Sequence, residues 1–159
     1  MKNAIQPTQV EVIAQIRAAF PAEPLQFEGA LTGGLDSGAY REHVEGKTWE
    51  ELDRKYVLSR SDVLSFLDTR HLVAVLPVYL RSLVEDGTQT PVPDTLLLVL
   101  DRKNRARFAE LVETLDPAQR AAVVAVLEMF ATTESGQLAD AARAAVERWT
   151  AHLSHQENQ

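Results

Sequence analysis

Residues 64–84 read LSFLDTRHLVAVLPVYLRSLV, the longest apolar stretch in the chain. Asp68 stands where a helix N-cap belongs, its carboxylate placed to accept from amides one turn on. Beyond it, Leu72, Val75, Leu76, Tyr79, Leu80 and Leu83 recur at spacings of three and four, the period of one helix face. Val73, Val78 and Val84 fall off that face and are apolar too. A helix apolar on nearly every side is a buried one. It is too short, and too closely bracketed by charge, to cross a bilayer. Arg70, His71 and Arg81 are its polar exceptions, and Glu85-Asp86-Gly87 closes it. Pro77 falls in the middle, where it has no amide for the Val73 carbonyl and its ring crowds that turn. We read one Pro-kinked central helix; the alternative is a second helix with Pro77 in its first turn.

The rest of the chain is arranged as other helices would be. At 159 residues it is long enough for one domain with a sizeable core. Thr8 can cap a helix over 8–20, carried by Val12 or Ile13, Ile16 and Phe20, and Pro21 and Pro24 stop it. Residues 21–35 read as a loop with at most a short strand over 25–31. A short helix over 36–45 ends at Gly46. Thr48-Trp49-Glu50-Glu51 has the form of a capping box, with Trp49 and Leu52 docking that turn on the core. Residues 87–93, GTQTPVP, form a turn-rich connector, after which Asp94 can cap 95–100. Residues 101–107, DRKNRAR, read as a polar basic loop, and 108–115 as a short helix. Asp116-Pro117-Ala118-Gln119 is a strong helix start: an acidic cap, proline at the first helical position and glutamine at the third. Val123, Val126, Leu127 and Phe130 give that helix its buried face. A last helix over 136–153 carries Leu138, Ala142, Ala145 or Val146, Trp149 and Leu153, and 156–159 are expected to form a disordered tail.

Composition narrows function more than it identifies it. The net charge of -7 opposes nucleic acid and anionic membranes and would favour a basic partner. The absence of cysteine excludes disulfides, thiolate metal sites and cysteine nucleophiles and fits a reducing compartment. The N-terminus shows no signal-peptide pattern, so a cytoplasmic setting is expected. No catalytic constellation stands out. Glu50/Glu51 and Glu85/Asp86 are adjacent on the chain and point apart on a helix. His152 and His155 share a spacing that suits a metal, but no further ligand is indicated. His71 reads as a packed or capping residue, and Tyr79 as a core aromatic whose hydroxyl reaches the surface. The run Arg102, Lys103, Arg105, Arg107 could bind phosphate or an acidic partner; without interleaved aromatics it reads as a solvated loop.

Two resemblances add to this. Thr32-Gly33-Gly34-Leu35-Asp36-Ser37-Gly38 resembles the SGGxDS phosphate loop of the ATP pyrophosphatases, with threonine for the first serine. The resemblance implies nucleotide contacts from Thr32, Gly33, Gly34, Asp36 and Ser37 at a helix N-terminus. That loop should follow a buried parallel strand in a doubly wound domain. The preceding LQFEGAL makes a poor one, so the competing reading is a glycine turn into a helix capped by Asp36. A longer pattern comprises Trp49 and Leu52, LSFL at 64–67, LPVYL at 76–80, and LDPAQRAAVVAVLEMF at 115–130 with its leucine-x-x-x-glutamine start. It resembles an uncharacterised bacterial domain-of-unknown-function family, which brings no activity and no catalytic residues.

The expected fold is therefore mainly α: a single-domain bundle of roughly five to seven helices around the segment centred on Pro77, with at most a short strand pair. The expected function is a non-enzymatic, cytoplasmic protein-binding or regulatory module without cofactor or metal. An inhibitor of the immunity or antitoxin type is its specific form, meeting a basic protein partner through exposed acids such as Glu42, Glu45, Glu50 and Asp53. The alternative is a nucleotide-binding enzyme using the loop at 32–38.

Overall fold

The structure, a computed structural model, describes residues 6–26, 37–101, 103 and 105–157. Among them it forms eight α-helices and one 3-10 turn, and no strand. In chain order these are α1 (Gln9–Ala19), α2 (Ser37–Val44), α3 (Arg54–Ser59), the 3-10 turn (Ser61–Ser65), α4 (Thr69–Glu85), α5 (Val92–Leu100), α6 (Arg105–Thr114), α7 (Pro117–Thr133) and α8 (Gly136–Glu157).

α4 is the central helix, and it runs on through Pro77 without a break, so no second helix starts there. Asp68 caps it, accepting from the His71 amide at 2.8 Å. Only Arg70 is exposed along its length, and of its apolar residues only Val73 and Ala74 are less than buried. α1, α3, α5, α6 and α7 pack around it. α8 lies against α7 and α5, bringing Ala139, Ala142, Ala145 and Trp149 inside. Its alanines let the α7 and α8 backbones approach closely. One contiguous core runs from Val12 to Trp149.

The cap signals at Thr8, Asp68 and Asp116 hold. Thr8 accepts from the Glu11 amide at 3.2 Å. Asp116 and Gln119 form both arms of their capping box, at 2.8 and 3.0 Å. Four details differ from expectation. The Thr48 box opens no helix: its hydroxyl bonds the Glu51 carboxylate at 3.0 Å, closing a single turn that still buries Trp49 and Leu52. The helix starts later, at Asp53, whose carboxylate accepts from Tyr56; α3 has only six residues, too few to show a period. α5 begins at Val92, because Pro93 presets the first turn, and Asp94 becomes a first-turn acid within the helix. α6 begins at Arg105, which puts Arg105 and Arg107 on a helix instead of a loop. With α3 added, the helix count passes the expected range by one. Of the expected strand over 25–31, Leu25 and Gln26 are described and non-helical. Leu25 bonds the backbone of Gly46 and Lys47 at 2.7 and 2.8 Å, a two-bond clasp. α8 continues to Glu157, two residues into the expected tail, and 158–159 lie outside the described residues.

Tyr79 also departs from expectation. Its hydroxyl is buried inside the bundle and donates to the Val57 carbonyl at 2.9 Å. A hydroxyl has one proton, so the Tyr40 hydroxyl, 2.9 Å away, donates to Tyr79. Burial raises the pKa of both phenols well above the usual tyrosine value. The chain Tyr40–Tyr79–Val57 thus joins α2, α4 and α3 through fully satisfied polar groups.

At the far end of α4, Arg54 reaches Glu85 at 2.7 Å and Asp86 at 3.0 Å, while Arg81 bonds Glu85 at 2.8 Å. Burial works to raise the Glu85 pKa, but the Arg81 bond and the Arg54 charge outweigh it and hold the carboxyl below its ordinary value. A carboxyl lowered in this way adds stability above its unfolded pKa, about 4.3, and loses it as pH falls through the folded value. The melting temperature of the wild-type chain should therefore drop more between pH 5 and pH 3 than that of Glu85→Gln. Pro77→Ala should stabilise the protein. Removing proline from a helix interior gains about 3 kcal/mol, and the lost ring packing costs about 0.8 kcal/mol per methylene over two methylenes. The net gain of about 1 kcal/mol should appear as a raised urea midpoint at unchanged slope.

Candidate functional site

A groove of about 720 Å³ lies between α5 and α8. Leu97, Leu98, Leu138 and Ala141 form its apolar lining, with Asp94, Asp101, Lys103 and Gln137 around them. Leu98 is 71% exposed, although α5 is otherwise one of the most buried helices of the bundle. Large apolar side chains left in solvent beside a concavity mark contact surfaces more often than scattered ones do.

One end of the groove is pinned. The Trp149 indole N–H donates to the Leu100 carbonyl at 2.7 Å, filling an acceptor left open where α5 ends. Arg148 bonds Asp101 at 3.0 Å, and its guanidinium lies 4.4 Å from the centre of the Phe108 ring. Phe108 meets Trp149 edge-on at 5.7 Å and His152 at 5.4 Å. Asp101 is thus neutralised within the protein. Asp94 and Lys103 are exposed and have no ion pair among the described residues. The groove therefore offers an apolar floor, one open carboxylate and one open ammonium.

A second pocket, of about 220 Å³, lies over Pro77. Phe20, Pro21, Pro24 and Trp49 wall it, with Val73, Ala74 and Pro77 of α4 beneath and Glu23 and Gln119 at its edge. Trp49 is held in place by its indole N–H, which donates to the Phe20 carbonyl at 2.8 Å. Trp49, Pro77 and Gln119 come from three separate parts of the longer sequence pattern, and here they share one pocket. The pattern's leucines hold the fold: Leu52, Leu64, Leu67, Leu76, Leu80 and Leu115 are all buried, whereas Phe66 is exposed.

The chain belongs to the DUF6714 family, a family of unknown function that matches residues 8–153. No curated protein and no solved structure matches it. Membership in DUF6714 assigns no reaction to either concavity.

The remaining sequence candidates are placed as follows. Glu42 is exposed on α2. Glu45 pairs with Arg41 at 3.2 Å, Glu50 pairs with Arg17 at 2.8 Å, and Asp53 is the cap of α3. None of the four lines the α5–α8 groove. Thr32, Gly33, Gly34 and Asp36 lie outside the described residues; Ser37 opens α2, and its side chain is likewise outside them. Asp36 as a helix cap falls there too. Of the basic run, Lys103 reaches the groove, Arg105 and Arg107 sit on α6, and Arg102 is outside the described residues. His71 is buried, its Nδ1 2.9 Å from the Asp68 carboxylate, at the cap it helps to form. His152 meets Phe108 edge-on and lies 3.3 Å from the Gln156 amide. No cluster of three or more metal-ligating side chains occurs among the described residues. No described helix is long and apolar enough to cross a membrane.

Sequence reasoning did not single out Leu98. It lies inside LLLVL at 96–100, where five apolar residues in a row carry no periodicity, so nothing local says which of them faces out.

Proposed function

We propose that this protein works by docking a partner protein and performs no catalysis of its own. The observation that carries the reading is Leu98, 71% exposed on the lip of the α5–α8 groove. An amphipathic segment of the partner lays an apolar side chain against Leu97, Leu98 and Leu138 and turns a basic residue toward Asp94. The net charge of -7 supports a basic partner, because complementary fields speed encounter and suppress wrong partners. The exposed acids Glu42, Glu45, Glu50 and Asp53 contribute to that field. The specific form of the proposal is an inhibitor of the immunity or antitoxin type, covering a basic surface in the bacterial cytoplasm. The cysteine-free composition supports the reducing compartment.

Photocrosslinking from position 98 in the source cell, set against crosslinking from exposed Val10, tests this. A specific basic protein should be captured at 98 and not at 10. With that partner in hand, Leu98→Asp should leave the melting temperature nearly unchanged, since the side chain is in solvent. It should raise Kd roughly thirtyfold, the equivalent of about 2 kcal/mol for an unburied leucine. Raising the salt should weaken the complex further. Equal affinity for Leu98→Asp and wild type would remove the groove from the proposal; a chain that crosslinks to nothing at either position would remove the partner.

A further inference from the structure

The geometry points to the pocket over Pro77 as a receptor for an organic cation: a primary ammonium or guanidinium group on a short alkyl arm. This site is separate from the α5–α8 groove and does not depend on the docking proposal. The inference starts from the covalent structure of proline. Pro77 has no amide, so the Val73 carbonyl one turn back receives no i-to-i−4 bond from it, and the ring crowds that turn. No loop amide or side chain among the described residues bonds that carbonyl. Val73, Ala74 and Pro77 all line this pocket, and Val73 and Ala74 are the apolar residues of α4 that its neighbours leave incompletely covered. The central helix therefore shows the pocket the stretch of its backbone with acceptor capacity to spare.

The walls fit the same ligand. Among the described residues Glu23 is the only charged one in the lining; it is exposed and has no ion pair with any of them. No lysine, arginine or histidine lines the pocket among those residues. Phe20 and Trp49 supply aromatic surface, and a cation near an aromatic face is attracted by the ring quadrupole. Pro21 and Pro24 add apolar wall without adding an amide donor. Gln119 already gives its oxygen to the Asp116 amide. The site offers a carboxylate, backbone oxygen and rings, and the amide groups of Gln26 and Gln119 are neutral, so no positive charge among the described residues of the lining would hold an anion. At about 220 Å³ it admits a side-chain-sized group and no nucleotide. The same chemistry can arrive as a free amine or as a lysine or arginine side chain of a protein.

The test uses the full ¹⁵N-labelled chain and follows the Trp49 indole N–H while n-butylammonium, n-butylguanidinium, n-butanol and butyrate are added at constant ionic strength. The two cations should move that resonance saturably, and the alcohol and the carboxylate should not. Glu23→Gln should weaken cation binding about threefold, the scale of an exposed ion pair. Pro77→Ala, which supplies the missing amide to the Val73 carbonyl, should weaken it as well. Nα-acetyl-lysine N-methylamide separates the sources: tighter binding than n-butylammonium assigns the site to a protein side chain, and equal binding assigns it to a free amine. No saturable shift with either cation, an equal shift with n-butanol, or unchanged affinity in Glu23→Gln would overturn the proposal. Glu23 is on the surface, so that variant folds whatever Pro77→Ala does.

Discussion

A helix with no face for solvent has to be enclosed, and that requirement shapes this protein. α4 exposes only Arg70 along its length, so five other helices must lie against it. Each fully buried leucine or valine in α4 is worth about 1.5–3 kcal/mol relative to exposure, which makes covering it the largest single gain in the fold. The enclosing helices are themselves amphipathic and have second faces to dispose of. α5 and α7 turn theirs toward α8, whose small residues allow the approach. The molecule is therefore built in shells, and the outer contact of α5 with α8 closes at one end and gapes at the other. The large groove is that gap.

Enclosure also governs the polar groups carried inward. The Tyr79 hydroxyl is tolerated in the interior because the Val57 carbonyl and the Tyr40 hydroxyl meet it. Without partners, burial of such a group would cost about 1–3 kcal/mol. The two tryptophans solve a related problem. A helix ends with carbonyls that have no amide above them. Trp49 answers the one at Phe20, where α1 stops, and Trp149 answers the one at Leu100, where α5 stops. In both cases a large ring is fixed by its one polar atom, and its flat body then becomes a wall.

How much of this could be read in the sequence depended on how local each signal was. Caps are set by residues three apart, and Thr8, Asp68 and Asp116 were legible for that reason. The all-round apolar character of 69–85 was equally legible, because a buried helix shows it in one window. α3 was not, since six residues hold less than two turns. The start of α5 was missed because the adjacent Pro93 and Asp94 compete for the same turn, and the proline prevailed. The depth of the Tyr79 hydroxyl depended on Tyr40 and Val57, 39 and 22 residues away. The groove was illegible for the same cause: Leu98 and Leu138 come together only through the packing of α8, and nothing near either residue announces the other.

Both concavities lie where a helix terminus or a helix irregularity interrupts regular packing, and this bears on what they can bind. Regular helix packing leaves few free backbone polar atoms, since those groups are spent within their own helix. Space with usable polarity appears where the hydrogen-bond ladder fails: at the end of α5 beside Asp101, and at Pro77 within α4. The first failure is repaired from inside by Trp149 and Arg148, so the groove beside it is left chiefly apolar. The second is not repaired by any described side chain, so the small pocket keeps its acceptors. A mainly apolar groove suits the flat face of another protein, and an acceptor-rich pocket suits a cation. The two sites thus differ in kind for one structural reason: which broken end of the ladder the protein mends for itself.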